Sequence, residues 1–400
     1  MFDEPSFFIQ MGYNAGKLGP EIMEKGFADG AILSPADFDK DRNVELSREF
    51  HRAGGTVLFD PQFYIPRADR PSLSSYDYFG DHGGHDFDTA EVGGNLNEVC
   101  TQILAVQDDL DVDAYVSPAR TLDTFSSTKV DEWLDYTEAF IEVVDDQGRD
   151  IPVLASLPLE GVPLNDKDQR DTLLNRITGL DPDGFYVSVE FDKADRYPLT
   201  GVSNIYSYLE LLNTLRKNQY DIIVGHTHHV AHLFMGIGIN AFASGHYNNL
   251  RAFDQRRWKP DDGQGGGRLV TKYYSDKLLN ELRLDPDLDL MYQKGGFDMD
   301  RIRMNSPYDA PLFNSTDPPS TVGWNFREGA WDHYIWACYQ ISRQYRGKSL
   351  PERFETTMTK IEDAEDLFAD VQAEFGMMNE PEGSVFDDWK AALSTMKSDL

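Results

Sequence analysis

The chain has 400 residues, 40% of them hydrophobic and including 24 Phe, 19 Tyr and 6 Trp, which excludes a globally disordered chain and allows one large domain or two. Its formal charge of −32 is spread along the whole length. Charge on this scale governs solubility and association rather than fold, and it reads as the hydrated carboxylate surface of a halophilic protein rather than as a face for a basic partner.

Cys100 and Cys338, far apart, are the only cysteines, so neither a disulfide framework nor a cysteine-rich zinc site is available. The N-terminal MFDEPSFFIQ lacks the basic-then-apolar pattern of a signal peptide, and no apolar run approaches the roughly 18 residues of a membrane span. A cytoplasmic protein without membrane contact is expected.

In chain order, SFFIQ at 6–10 predicts a first strand that ends in the Gly-punctuated QMGYNAG. Residues 20–26 predict a short helix with Pro at its start and Gly at its stop. GAILS at 30–34 is a second strand, 43–53 a helix with Asn43 as cap, and TVLFD at 56–60 a third strand. Residues 61–94, rich in Pro, Gly, Asp and Tyr, break the rhythm. Long loops in compact domains are usually functional, so this one is expected to be a lid or a substrate-contacting excursion.

Alternation then resumes, with helices predicted at 96–110, 130–147, 167–178 and 204–218 and strands at 114–117, 151–157, 184–191, 221–224 and 239–243. Eight short apolar strands, mostly separated by helices, predict an α/β fold, a (β/α)8 TIM barrel over residues 1–258. The alternative is an open doubly wound sheet, although no G-x-G-x-x-G follows the first strand. Residues 259–323 read as an irregular connection. Residues 324–400 read as a C-terminal helical extension on the barrel's flank, with helices at 324–346 and 350–375. Apolar residues recur every three or four positions from Phe354 to Phe375 and again from Val385 to Met396.

A barrel gathers the carboxyl ends of its strands on one face, where chemistry occurs. That face would hold Gln10 and Asn14, Ser34, Asp60 and Gln62, Ser117 and Arg120, Ser156 and Glu160, Glu190 and Asp192, His226 and His228, and Ser244 and His246. Asp60 and Glu190 are the carboxylates best placed for acid–base or nucleophilic work, which needs burial or a charged neighbour to tune the pKa. His226 and His228 form H-x-H, and His82 and His85 stand with Asp81 and Asp86 in the long loop. Imidazole and carboxylate suit zinc, manganese or iron. Metal-dependent barrel hydrolases carry H-x-H on the first strand, however, and this first strand has none, so no metal or other cofactor is expected. His229 and His232 are expected in helix packing. From 251 to 272 six cations (Arg251, Arg256, Arg257, Lys259, Arg268, Lys272) face three acids (Asp254, Asp261, Asp262), leaving +3. Such an island suits a phosphate or nucleic-acid contact, and equally a set of salt bridges to neighbouring acids.

The order VGH…MGIGINAF, followed by LRAFDQRRW, is similar in layout to the tRNA-guanine transglycosylases and their DNA-acting 7-deazaguanine relatives. Those are barrels in which a strand ending in V-G leads through one helix to G-I-D-x-F-D. The third strand, VLFDPQFY, resembles that family's L-x-D-S-G-[GA]-[FY], whose Asp contacts the purine-like base and corresponds to Asp60. Ala243 stands where the family has its nucleophilic Asp, Asn240 replaces the Asp before it, and Pro61-Gln62-Phe63 replaces Ser-Gly-Gly. The family's cysteine-rich zinc motif is absent.

The expectation is a transglycosylase-like barrel enzyme acting on a nucleobase, nucleoside or glycosidic bond, free or within nucleic acid. Asp60, Glu190, His226 and His228 would be catalytic. Gln10, Asn14, Ser34, Gln62, Ser117, Arg120, Ser244, His246, Arg251, Arg256 and Arg257 would bind substrate. The alternatives are a metal-dependent hydrolase using the histidines, and an inactive barrel serving as a nucleic-acid-binding or scaffold component. Oligomeric state has no signature in the sequence.

Overall fold

The computed structural model describes residues 2–79, 86–88, 95–191, 199–259, 270–376 and 384–400. Eight short strands carry the fold: β1 (Ser6–Gln10), β2 (Gly30–Leu33), β3 (Thr56–Phe59), β4 (Tyr115–Val116), β5 (Val153–Glu160), β6 (Gly184–Glu190), β7 (Asp221–Val224) and β8 (Ala241–Ser244). They form one sheet in the order β3-β2-β1-β8-β7-β6-β5-β4, with every neighbouring pair parallel. A parallel bridge between Leu58 and Ala114, backed by the Asp113 amide donating to the Val57 carbonyl at 2.9 Å, joins β3 to β4 and closes the ring. The chain is a (β/α)8 TIM barrel.

The strands read as unbroken apolar runs because both of their faces are buried. Inward residues, among them Phe8, Ile32, Leu58, Leu154, Tyr186, Ile223 and Ala241, fill the barrel as a core of their own. Outward residues join the larger core beneath the helices.

Several helix starts differ from expectation, among them the helix expected from 324, which begins at Asp332, and two of the differences have a visible reason. The first helix is Ala15–Glu24, so Pro20 lies inside it. Proline leaves the Gly16 carbonyl without its helical donor, and Arg42 Nη2 donates to that carbonyl instead, at 2.7 Å. The second helix, Lys40–Arg52, is capped by Asp39, whose side chain accepts from the Arg42 amide. Asn43 is buried within it, and its Nδ2 donates to the Ser34 carbonyl and the Tyr76 hydroxyl.

The described part of 61–94 packs down rather than standing off as a flap. Arg67–Asp69 pairs antiparallel with Asp86–Asp88, and Phe63, Tyr76, Tyr78 and Phe79 are buried. Asp81, His82 and His85 lie outside the described residues. After the barrel, β9 (Lys272–Ser275) and β10 (Asn280–Arg283) form an antiparallel hairpin where an irregular connection was expected. Helix Asp332–Gln344 packs beside β1, and helix Leu350–Phe375 begins with the Ser349/Glu352 capping box. The last helix, Ser384–Met396, lies against helix Val202–Lys217 on the barrel wall. There Trp389 is buried and the Asp388 carboxylate accepts from the Gly201 amide at 2.9 Å.

This docking makes the tail part of the barrel's stability. Trp389→Ala should cost about 3–5 kcal/mol, the range for emptying a large buried aromatic site. Urea denaturation at constant high salt measures this, and a loss under about 1 kcal/mol would show that the tail is a loose appendage.

Candidate functional site

Three polar groups occupy the carboxyl end of the barrel. The first lies on the axis. Asp60 follows β3 and is fully buried; its Oδ2 accepts from the Tyr64 hydroxyl at 2.5 Å and its Oδ1 from the Gln62 amide at 3.0 Å. The Tyr186 hydroxyl, from β6, donates to Gln10 Oε1 of β1 at 3.0 Å. Gln62 Oε1 accepts from Trp258 Nε1 at 3.0 Å and lies 3.1 Å from the Ser34 hydroxyl. Burial pushes the Asp60 carboxyl up to about 6, against the hydrogen bonds from Tyr64 and Gln62, which favour its charged form.

The chain's own residues 253–258 lie across this centre as a strap. Phe253 and Trp258 are buried and pack edge-on against Tyr64, and the His226 ring lies against both. His226 takes a positive φ of 51°, a tight reversal straight after β7. Gly225, just before it, has no room for a side chain: a Cβ there would lie 2.6 Å from the Tyr186 hydroxyl and from Ser188 Oγ. The axis of the barrel is thus a dense polar core.

The second group is on the rim. Glu160 and Glu190 stand side by side at the ends of β5 and β6, and Gln255 of the strap bridges them. Gln255 Nε2 donates to Glu190 Oε2 at 2.7 Å and to Glu160 Oε1 at 3.3 Å. Asp192 lies outside the described residues.

The third group surrounds open space. A cleft of about 460 Å³ lies outside the end of β8, walled by residues 246–249, by the β9–β10 hairpin and by Phe326, Trp331 and Tyr334. Arg251 is buried beside it and stacks on the Tyr334 ring at 3.3 Å. It donates to the Gly245 carbonyl at 3.1 Å, the His246 carbonyl at 2.8 Å and Glu281 Oε1 at 2.6 Å. Lys272 Nζ is 2.8 Å from Glu281 Oε2, and His228 Nε2 is 4.0 Å from the same oxygen. Burial alone would raise the Glu281 carboxyl, but Arg251 and Lys272 overcome it and hold Glu281 well below the ordinary carboxylate range. His246 is 1% exposed and lines this cleft, and neither ring nitrogen has a hydrogen-bond partner among the described residues. Burial, reinforced by the Arg251 charge, pushes its pKa down to about 3. Its imidazole is therefore neutral at ordinary pH.

The remaining expected site residues are spread among structural roles. Ser117 Oγ accepts from the Ser156 amide at 3.1 Å, tying β4 to β5. Arg120 Nη1 donates to the Phe63 and Ile65 carbonyls at 2.6 and 2.8 Å and holds the loop after β3. Ser244 points outward, with its hydroxyl 3.0 Å from that of Tyr334. Asn14 precedes the first helix with a φ of 64° and borders a second cavity, described below. Much of the basic island is ion-paired: Arg251 and Lys272 meet Glu281, Arg256 meets Asp254 at 3.0 Å, and Arg257 meets Asp37, while Arg256 and Lys259 are exposed. Arg268 lies outside the described residues. Among the described residues no group of three or more His, Cys, Asp or Glu is placed to hold a metal ion, and no helix is long and apolar enough to cross a membrane.

No family model matches the chain, and none of the curated proteins matches it. Solved structures similar to it include a protein described as a phosphonomutase from Burkholderia cenocepacia, 15% identical over 62% of this chain and 89% of that one, at a TM-score of 0.37. A pyruvate kinase from Pyrobaculum aerophilum is 13% identical over 62% of this chain and 68% of that one, also at 0.37. The barrel assignment rests on the strand ladder itself.

The buried Asp60 carries a pH signature. Its folded pKa, about 6, lies above the ordinary 3.8, so its stabilising proton is in place at low pH and is lost as pH rises through 6. Asp60→Asn cannot titrate. Wild type should therefore lose stability relative to this variant between about pH 4 and pH 6, by up to about 3 kcal/mol. Parallel urea titrations of the two proteins measure the difference, and a gap independent of pH would contradict the burial argument.

Proposed function

We propose that the chain is a barrel enzyme acting on a small, flat, nucleobase-sized molecule in the cleft beside β8, with His246 exchanging the proton. The observation that carries this reading is His246, which lines that cleft and whose two buried imidazole nitrogens have no partner among the described residues. A buried polar atom without a partner costs about 1–3 kcal/mol, and a ligand that supplies one recovers that cost. Aromatic walls from Tyr274, Trp331 and Tyr334 suit a planar ring, which they can stack on or meet edge-on.

The charge balance supports proton transfer more than nucleophilic displacement. Arg251 and Lys272 against Glu281 leave the cleft one net positive charge beside a neutral His246. A bound ring that sheds a proton, or that carries negative charge, would raise the His246 pKa from its low free value. The imidazole could then take the proton that the substrate gives up. Glu281 is the cleft's carboxylate, and its ion pairs keep it a charged anchor. Asp60, which the resemblance aligns with the base-contacting residue, is closed off by the strap, and Ala243 supplies no nucleophile. These features favour a small molecule and proton chemistry over base exchange. The ion pairs of the basic island and the overall charge likewise favour a small ligand over nucleic acid.

Titration calorimetry with guanine, guanosine, adenosine and uridine tests this reading. At least one should bind and quench tryptophan fluorescence through Trp331. His246→Ala should weaken that binding roughly tenfold, the worth of one well-made hydrogen bond. Binding by none of the four, or equal binding by His246→Ala, would favour the sealed barrel as a non-catalytic scaffold.

A further inference from the structure

A second cavity of about 340 Å³ adjoins the cleft, and Tyr247 and Asn249 belong to the walls of both. It lies over the ends of β1 and β2, bordered by Tyr13, Asn14, Asp37 and Arg257. Arg257 carries the signal. Its side chain is 7% exposed and its Nη2 is paired with Asp37, while its buried Nη1 has no acceptor among the described residues. A guanidinium is always charged and donates in a fixed planar fork, so a buried edge without an acceptor is costly.

Asp37 is itself fixed. Oδ1 accepts from the Tyr13 amide at 3.0 Å, and Oδ2 lies 2.7 Å from the Ser34 hydroxyl. The Arg257 carbonyl accepts from Arg70 Nη2. The guanidinium is therefore held in place before any ligand arrives, and little is lost in ordering it.

We infer that the substrate has two parts: a flat head in the His246 compartment and an anionic tail, phosphate or carboxylate, that accepts from Arg257 Nη1 in the adjoining one. This deepens the function proposed above and rests on it for the head alone. Asp37 opposes any anion nearby, but it faces Nη2, and the tail meets the other nitrogen. The Asn14 and Asn249 amides border the same space and can donate to further tail oxygens. Tyr247, between the two cavities, marks where head and tail join.

The test separates tail from head. Guanosine and guanosine monophosphate are titrated against wild type, Arg257→Gln and His246→Ala. On wild type the monophosphate should bind roughly tenfold to a hundredfold tighter than the nucleoside, the range of one charge-assisted hydrogen bond. Arg257→Gln should abolish that difference and leave nucleoside binding unchanged. His246→Ala should weaken both ligands and preserve their ratio. Inorganic phosphate and succinate, each titrated alone at fixed chloride, probe the tail site even if no nucleoside binds and report which anion it prefers. At least one should bind wild type, bind His246→Ala equally and fail to bind Arg257→Gln. A monophosphate that binds no tighter than the nucleoside, or anions that bind Arg257→Gln as well as wild type, would overturn the inference. Circular dichroism confirms that each variant is folded before its result is read.

Discussion

The burial of Arg251 holds the open end of this molecule together. Removing a guanidinium from water is costly unless its donors and its charge are fully answered. Here the answers come from three distant stretches: carbonyls at the end of β8, the Glu281 carboxylate on the hairpin, and the Tyr334 ring on the helix behind it. One side chain thereby fixes the relative placement of three walls, and the cleft is the space they leave. Glu281 cannot relax without leaving Arg251 unpaired, and Lys272 shares the same carboxylate. The result is a rigid, charged frame around a neutral histidine, the preorganisation that a binding site requires.

The strap has the opposite effect on the barrel axis. Polar side chains at the ends of β1, β2, β3 and β6 would otherwise face water at the mouth. Instead Trp258 bonds Gln62, and Phe253 and Trp258 cover Tyr64. At the rim, Gln255 bridges the two glutamates. The central polar groups become a buried core that is only partly hydrogen-bonded, with Gln10 Nε2 and Gln62 Nε2 lacking a partner among the described residues, and the ligand-sized space moves outward to the side of β8. A barrel face commonly builds its site from several loops; in this chain one loop closes the middle and frames the edge.

The barrel was legible because its signal is local. Short apolar runs punctuated by Gly and Pro marked eight strands, and the Phe354-to-Phe375 stripe marked one helix to its ends. Pro20 reads as a helix start, yet it lies inside the first helix because Arg42, far along the chain, rescues the carbonyl that the proline orphans. The site was less legible. His246 was named among the binding residues, but Lys272, Glu281, Trp331 and Tyr334 complete its surroundings from beyond the barrel, and no periodicity in the sequence links them to β8. KYYS followed four residues later by NELR does carry a hairpin's composition. The basic island shows the same limit. Counting charges within 251–272 leaves an excess, because the acids that pair Arg251 and Arg257 are Glu281 and Asp37, outside that window.

The central claim is that substrate meets the protein beside β8 and not on the barrel axis. A crystal structure of the protein soaked with guanosine monophosphate tests it most directly. The account predicts ligand density against the Trp331 and Tyr334 walls, with an atom of the base within hydrogen-bonding distance of His246 and residues 253–258 unmoved. Density over Asp60, with Phe253 and Trp258 swung out of the mouth, would contradict it and return the chemistry to the barrel's centre.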